Sequence, residues 1–255
     1  MKMRKVIEKT FDGIFVRIFA AAFLNAERAI PHLQMRQAVS GGREDFMKIY
    51  LIRHGRQSSP LCNVNVPLGE EGKQQVELLK QRLKGVSFDA LYSSDLIRAV
   101  QTAEQINTWG LERIERPDLK EIDFGYLTGR ADALNHVEYA EYFEQKKCGK
   151  EDVRIPGGEC GQEVFDRAFP VIEEIIASGK QNVAVVTHGG VIRSLLAGIF
   201  MQSQADRFLL ADSLEHTSIT ELWYHESTKR FTLERLNDHA HLEGYPALCR
   251  NAWKK

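Results

Sequence analysis

Two histidines stand directly before glycines, and each is accompanied by residues that suit phosphate chemistry. His54 lies in an Arg-His-Gly triplet, and His188 lies in a Thr-His-Gly-Gly run. An imidazole can act as a nucleophile, as an acid or base, or as a metal ligand. Arg53 beside His54 argues against a metal cation and for an anion, because a guanidinium group matches the oxygens of a phosphate. The two motifs therefore predict chemistry on a phosphorylated group.

Two further segments carry side chains that could serve the same site. Arg98 lies in the first turn of a predicted helix, and the free N–H groups of a helix start favour anions. Gly189 and Gly190 open a second such helix, whose N–H groups could hold a phosphoryl oxygen. Glu121 stands before an Ile-Asp-Phe-Gly segment, and its carboxyl group could be the proton donor, with Asp123 as the alternative.

The elements that must position these residues are short strands alternating with helices. Strands are predicted over 48–53, 89–94 and 182–187, helices over 70–84, 161–178 and from 189 to about 200, and a closing hairpin over 218–224 and 230–236. Asp95 is expected to cap the helix that carries Arg98. This alternation predicts an α/β fold with a mainly parallel central sheet. Ligands bind such sheets at the carboxyl ends of the strands, which is where His54 and His188 fall.

Composition excludes several classes of function. The chain has 255 residues, and its 34 basic and 35 acidic residues give a formal net charge of −1. Because basic residues are not in excess, the composition does not favour nucleic acid as a partner. No apolar run is long enough to span a bilayer, so no stable membrane insertion is expected. The four cysteines form no Cys-x-x-Cys pair, which indicates reduced thiols and a cytoplasmic protein.

The first part of the chain differs from the rest. Residues 1–46 are interpreted as an N-terminal extension, either an amphipathic helix or a non-native start before Met47. Residues 47–255 are interpreted as the working domain, which is large enough for one ordinary core. The sequence leaves the oligomeric state open, with a homodimer among the alternatives.

The four motifs, in this order, resemble those of the histidine phosphatase superfamily, the phosphoglycerate mutase-like proteins, over about residues 47–225. The resemblance implies a three-layer α/β/α fold. It implies that His54 is the phospho-accepting nucleophile and that Glu121 is the acidic proton donor. The phosphate pocket would be completed by Arg53, Arg98 and His188. No cofactor and no metal is implied, because guanidinium groups take the place of a cation at the phosphate.

The interpretation is a metal-independent phosphomonoester hydrolase, a histidine acid-type phosphatase that acts through a phosphohistidine on a small phosphorylated metabolite. Arg56 and Thr128 depart from the family pattern, so no particular substrate is transferred. A phosphoglycerate mutase is the first alternative, although the connection between Glu121 and His188 is shorter than in family mutases. A non-catalytic phospho-ligand-binding module is the second. The remaining histidines, His216 among them, are expected to have surface or structural roles.

Overall fold

The computed structural model describes residues 46–211 and 213–250. Its six strands form one sheet in the order β3-β2-β4-β1-β5-β6. In chain order they are β1 (Phe46–Arg53), β2 (Ala90–Ser93), β3 (Arg113–Glu115), β4 (Asn182–Thr187), β5 (Ile219–His225) and β6 (Arg230–Asp238). Strands β3, β2, β4 and β1 pair in parallel, whereas β5 and β6 are antiparallel to their neighbours. The predicted α/β class with a mainly parallel sheet is confirmed.

Helices cover both faces of this sheet. In chain order they are α1 (Glu70–Arg82), α2 (Ile97–Ile106), α3 (Asp132–Glu138), α4 (Ala140–Cys148), α5 (Gly161–Ala177) and α6 (Gly189–Ile199). Alternate residues of β1 point to opposite faces, so Leu51 joins the core beneath α5 and α6 while Ile52 joins the core beneath α1 and α2. Each such buried side chain contributes about 1.5–3 kcal/mol of hydrophobic stabilisation. The three-layer arrangement follows from these two cores.

The sheet order brings three strand ends together. Strand β4 lies between β1 and β2, with Arg53 opposite Thr187 and Ser93 opposite Val186. The carboxyl ends of the three strands are therefore level, and the residue after each strand emerges at the same edge of the sheet.

Several element boundaries differ from those predicted. Strand β4 matches its prediction, and the helix predicted over 70–84 ends at Arg82. Asp95 does not cap α2, so that prediction is wrong. The N–H of Ile97 instead donates to Asn65 Oδ1 at 2.9 Å, because the loop before α1 folds back over the start of α2. Strand β3 and helices α3 and α4 had no prediction, since each is too short to show a clear hydrophobic period.

Residues 1–45 lie outside the described part of the chain, and so does the amphipathic helix predicted there. Phe46 belongs to β1, where its ring stacks on Trp223 with 4.3 Å between ring centroids. The division into an extension and a working domain stays a prediction. None of the helices in the described ranges has the length and apolar character needed to cross a lipid bilayer.

Candidate active site

The two motif histidines meet at the level edge of the sheet. The ring centroids of His54 and His188 are 4.9 Å apart, and both side chains are buried. Arg98 donates from Nε to His54 Nε2 at 3.2 Å and is itself only 2% exposed. The structure thus brings together three of the residues that the sequence selected, from three different strand ends.

The hydrogen bonds of His54 define which ring nitrogen can react. Nδ1 lies 2.6 Å from the carbonyl oxygen of Gly55, so it carries the proton and donates it there. Nε2 accepts from Arg98, so its lone pair is directed at the Arg98 guanidinium. Burial, with Arg98 and Arg53 adding to it, holds the pKa of His54 well below its usual 6.5. The imidazole is neutral at physiological pH, as a nucleophile must be.

Arg98 is fixed by the loop that follows β1. Its Nη1 donates to the carbonyl oxygen of Val64 at 3.0 Å, and its Nη2 donates to Asn63 Oδ1 at 3.0 Å. Asn63 adopts a left-handed backbone with φ of 45°. Neither Asn63 nor Val64 was predicted from the sequence to contact Arg98, because more than 30 residues separate them from it along the chain.

His188 offers an unused hydrogen-bonding atom. Its Nε2 is 2.7 Å from Ser94 Oγ, whereas its Nδ1 is buried with no partner in the described part of the chain. Leaving such an atom unpaired costs about 1–3 kcal/mol, so it marks a place where a ligand oxygen would be stabilising. Burial, followed by His54 and Arg98, lowers the pKa of His188 well below its usual value.

Arg53 lies on the same side as the start of α6. One of its terminal nitrogens donates to the carbonyl oxygen of Leu214, while its Nε is buried and has no partner among the described residues. A Cβ placed on Gly189 would lie 3.5 Å from that Nε, so the guanidinium packs against the first residue of the helix. Burial, with Arg250 adding to it, lowers the pKa of Arg53. Two nitrogens without partners among the described residues, Nε of Arg53 and Nδ1 of His188, therefore lie at the same helix start.

Glu121 is held by the helix start rather than by another side chain. Its Oε1 accepts from the N–H of Gly190 and from that of Ile122, both at 3.0 Å, and its Oε2 has no hydrogen bond in the described residues. A Cβ on Gly190 would approach Oε1 to 2.4 Å, so any larger residue there would displace the Glu121 carboxylate. The expectation that the Gly190 N–H holds a phosphoryl oxygen is therefore corrected, because Glu121 occupies it. Burial lowers the pKa of Arg98, and the negative charge of Glu121 partly offsets this lowering.

A second layer of contacts fixes the segment that carries Glu121. Arg167 donates to the carbonyl oxygen of Glu121 at 3.2 Å and pairs with Glu159 at 2.8 Å. Glu159 in turn accepts the N–H of Asp123 at 2.8 Å. Asp123, the alternative donor, is exposed and its carboxylate accepts the N–H of Gly125. The geometry favours Glu121 over Asp123 as the carboxyl group of the pocket.

A third imidazole lies at this site and was missed by sequence reasoning. The ring of His216 is 5.7 Å from that of His54 between centroids, and its side chain is only 12% exposed. The available signal was topological: β5 runs antiparallel to β1, so the residues before β5 meet the carboxyl end of β1. Within residues 46–211 and 213–250, no group of three or more histidine, cysteine or acidic side chains is arranged to hold a metal ion.

These three histidines predict a pH-dependent stability. The pKa values of His54, His188 and His216 are all lowered well below 6.5, mainly by burial. Above pH 6.5 these histidines are neutral in both states and contribute nothing. Below it the unfolded chain binds protons that the folded chain cannot, so stability falls by about 4 kcal/mol per pH unit for three groups.

Urea unfolding at pH 7.5, 6.5 and 5.5 measures this effect. We expect the free energy of unfolding to drop steeply between the last two values. Burial also lowers the pKa of His241, to about 4, so a His216→Asn variant removes one of four such groups and should show a slope about one quarter shallower. An unfolding midpoint that stays constant from pH 7.5 to 5.5 would contradict the neutral state of these rings.

Comparison with known proteins identifies the class that this fold and site define. The profile of the histidine phosphatase superfamily (branch 1) matches residues 49–239, which is most of the described chain. The match includes every motif residue discussed above. The chain belongs to the histidine phosphatase superfamily.

Relatives with similar sequences are named as phosphoglycerate mutases or mutase-like proteins. Phosphoglycerate mutase-like protein 4 from Arabidopsis thaliana is 34% identical over 161 residues, covering 59% of this chain and 70% of the relative. A protein named probable phosphoglycerate mutase GpmB, from Yersinia pestis (strain Pestoides F), is 31% identical over 218 residues, covering 79% and 97%.

Solved structures with the same fold include named phosphatases. The alpha-ribazole phosphatase of Shigella flexneri has a TM-score of 0.65 and 27% identity, over 76% of this chain and 97% of that one. A mycobacterial glucosyl-3-phosphoglycerate phosphatase in complex with inorganic phosphate has a TM-score of 0.69 and 25% identity, over 76% and 99%. Two of these four proteins are thus named as phosphoglycerate mutases or mutase-like proteins, and two as phosphatases.

Proposed function

We propose that this protein hydrolyses a small phosphomonoester through a phosphohistidine formed on His54. The observation that carries the proposal is the state of the His54 ring. It is a neutral imidazole, with its Nε2 lone pair directed at Arg98 inside a buried pocket. No metal is needed in this scheme, because the arginines supply the positive charge that phosphoryl transfer requires. The cytoplasmic location stays a prediction.

The first step transfers the phosphoryl group to the protein. When the ester is bound, the Nε–H of Arg98 donates to a phosphoryl oxygen instead of to His54 Nε2, which frees the lone pair of Nε2. Nε2 then attacks phosphorus and forms a P–N bond, while the bond from phosphorus to the ester oxygen breaks in line. The leaving oxygen takes its proton from the protonated carboxyl group of Glu121, at the free Oε2. The positive charge that develops on the imidazole is stabilised by the Gly55 carbonyl at Nδ1. Arg98, Arg53 and His188 bind the three non-bridging oxygens.

The second step returns the protein to its starting state. A water molecule gives a proton to the Glu121 carboxylate and attacks phosphorus, the P–N bond breaks, and its electron pair returns to Nε2. Orthophosphate leaves, and Glu121 again carries the proton that the next cycle needs. The contacts from Gly190 and Arg167 keep this carboxyl group in place through both steps.

The mutase alternative uses the same pocket and differs in the acceptor of the phosphoryl group. The names of the relatives from Arabidopsis and Yersinia favour it, whereas the names of the solved phosphatases favour hydrolysis. Incubation with 3-phosphoglycerate and its bisphosphorylated activator, followed by ³¹P NMR, separates the two. We expect orthophosphate to accumulate; conversion to the isomeric phosphoglycerate without orthophosphate release would select the mutase.

The acid role of Glu121 is tested with two leaving groups. In Glu121→Gln we expect kcat/KM for an alkyl phosphate to fall by about 10²–10⁴, because an alkoxide leaves poorly without a proton. For p-nitrophenyl phosphate, whose leaving group needs no proton, the same ratio should fall far less. Asp123→Asn is the matched control and should leave both values close to those of the wild type. An equal loss on the two substrates would assign the donor to another group.

A further inference from the structure

The segment before β5 is tied directly to the end of β1. Thr217 donates its N–H to the carbonyl oxygen of Arg53 at 3.0 Å, and Arg53 donates its own N–H to Ser218 at 3.1 Å. These two bonds continue the sheet ladder as far as the nucleophile. They set His216 beside His54, where the rings meet edge to face at 61°.

Thr217 holds an unfavourable backbone conformation in order to do this. Its φ is 58°, in the left-handed region, although threonine is β-branched and the residue is completely buried. Such a conformation costs of order 1–3 kcal/mol and persists only where the surroundings enforce it, most often at functional sites. Here the hydroxyl group of Thr217 bonds His241 Nε2 at 3.0 Å. The strain is confined to the residue that follows His216.

Glu215 fixes the other side of His216 without using its ring. The buried carboxylate accepts the N–H of His216 at 3.0 Å through Oε1 and the N–H of Arg250 at 2.8 Å through Oε2. The distance from Oε1 to His216 Nδ1 is 3.9 Å, which is too long for a hydrogen bond. Among the described residues neither ring nitrogen has a hydrogen-bond partner. The backbone around His216 is therefore held by the bonds of Thr217 and of Glu215. The imidazole N–H has no hydrogen-bond acceptor among the described residues.

We infer that His216 is a phosphate-binding residue whose imidazole N–H donates to a non-bridging oxygen of the phosphoryl group held at His54. This inference rests on the proposed function. The charged groups that face the ring are the guanidiniums of Arg53, Arg56 and Arg250 and the carboxylate of Glu215. Burial and Arg53 lower the pKa of His216, so the ring donates as a neutral group. The donor adds to Arg98 as another side chain that contacts His54.

The experiment must separate hydrogen bonding from packing. His216→Leu keeps an apolar side chain of similar bulk without a donor, His216→Asn keeps an N–H donor, and His225→Leu, at the far end of β5, is the control. Two readouts are used: the inhibition constant of orthovanadate against p-nitrophenyl phosphate hydrolysis, and the rise in Tm caused by inorganic phosphate. The second readout needs no turnover, so failure of the proposed hydrolysis and failure of this inference are distinguishable.

We expect His216→Leu to raise the vanadate inhibition constant by about 10- to 100-fold, the loss typical of one hydrogen bond to a charged group. The same variant should lose most of the phosphate-induced rise in Tm, and His216→Asn should recover part of both effects. An inhibition constant and a Tm rise unchanged in His216→Leu would overturn the inference. Equal impairment of the Leu and Asn variants would also overturn it, because packing alone would then explain the loss.

Discussion

Replacement of His54 by alanine is expected to abolish turnover of p-nitrophenyl phosphate, with kcat reduced by about 10⁴-fold or more. His54 Nε2 is the nitrogen to which the proposed mechanism assigns the attack. His188 Nε2 is bound to Ser94 Oγ, and both that ring and His54 are held by buried contacts that fix their orientation. Steady-state assays in the presence of a chelator measure the loss.

Trapping of the intermediate gives an independent readout of the same prediction. Wild-type protein mixed with ³²P-labelled substrate should acquire a label that is lost in acid and kept in alkali, as expected for a phosphohistidine, whereas His54→Ala should acquire none. His225→Ala, on the same sheet but at the opposite edge, should label normally. Undiminished turnover in His54→Ala would refute the assignment of the nucleophile.

Substitution of Arg98 by methionine is expected to lower kcat/KM by about 10³-fold. The guanidinium contacts the reacting nitrogen and would stabilise charge on the phosphoryl oxygens, and a single such donor is worth about 10²–10³ in rate. Its removal also leaves the carbonyl oxygen of Val64 and the amide oxygen of Asn63 without this donor. Arg98→Lys should recover only part of the loss, because an ammonium is a point charge and cannot reach three acceptors at once.

An arginine outside the site provides the control for the Arg98 prediction. Arg82 forms an exposed ion pair with Asp238 at 3.0 Å, and Arg82→Met should change stability by less than about 1 kcal/mol and leave kcat/KM unaltered. Tm values for all variants establish that the fold is retained. An Arg98→Met protein with activity within threefold of the wild type would show that Arg98 has only a structural role.

Local patterns in the sequence predicted where the histidines lie because a strand end is a local feature. Strands before His54 and His188 are readable as short β-forming runs, and the carboxyl ends of parallel strands must meet at one edge. The order of the strands could not be predicted from the sequence, because it depends on how the connecting segments cross the sheet and insert β4 between β1 and β2. That order is what reduces the separation of the two rings to 4.9 Å.

The contacts that sequence reasoning missed all join residues far apart in the chain. Asn65 caps a helix 32 positions later, and Gly190 holds a carboxylate 69 positions earlier. His216 reaches the site through an antiparallel strand, whose neighbour cannot be inferred from its own residues. Each of these depends on tertiary packing rather than on local propensity.

The bond between Glu121 and Gly190 also determines how two groups of the site are positioned. Gly190 is two residues from His188, so the Glu121 carboxylate and the His188 ring are attached to the same helix start. The spacing of these two groups is therefore set by the helix start and not by α3 or α4. In the proposed mechanism, proton transfer and phosphate binding then depend on one element, the start of α6.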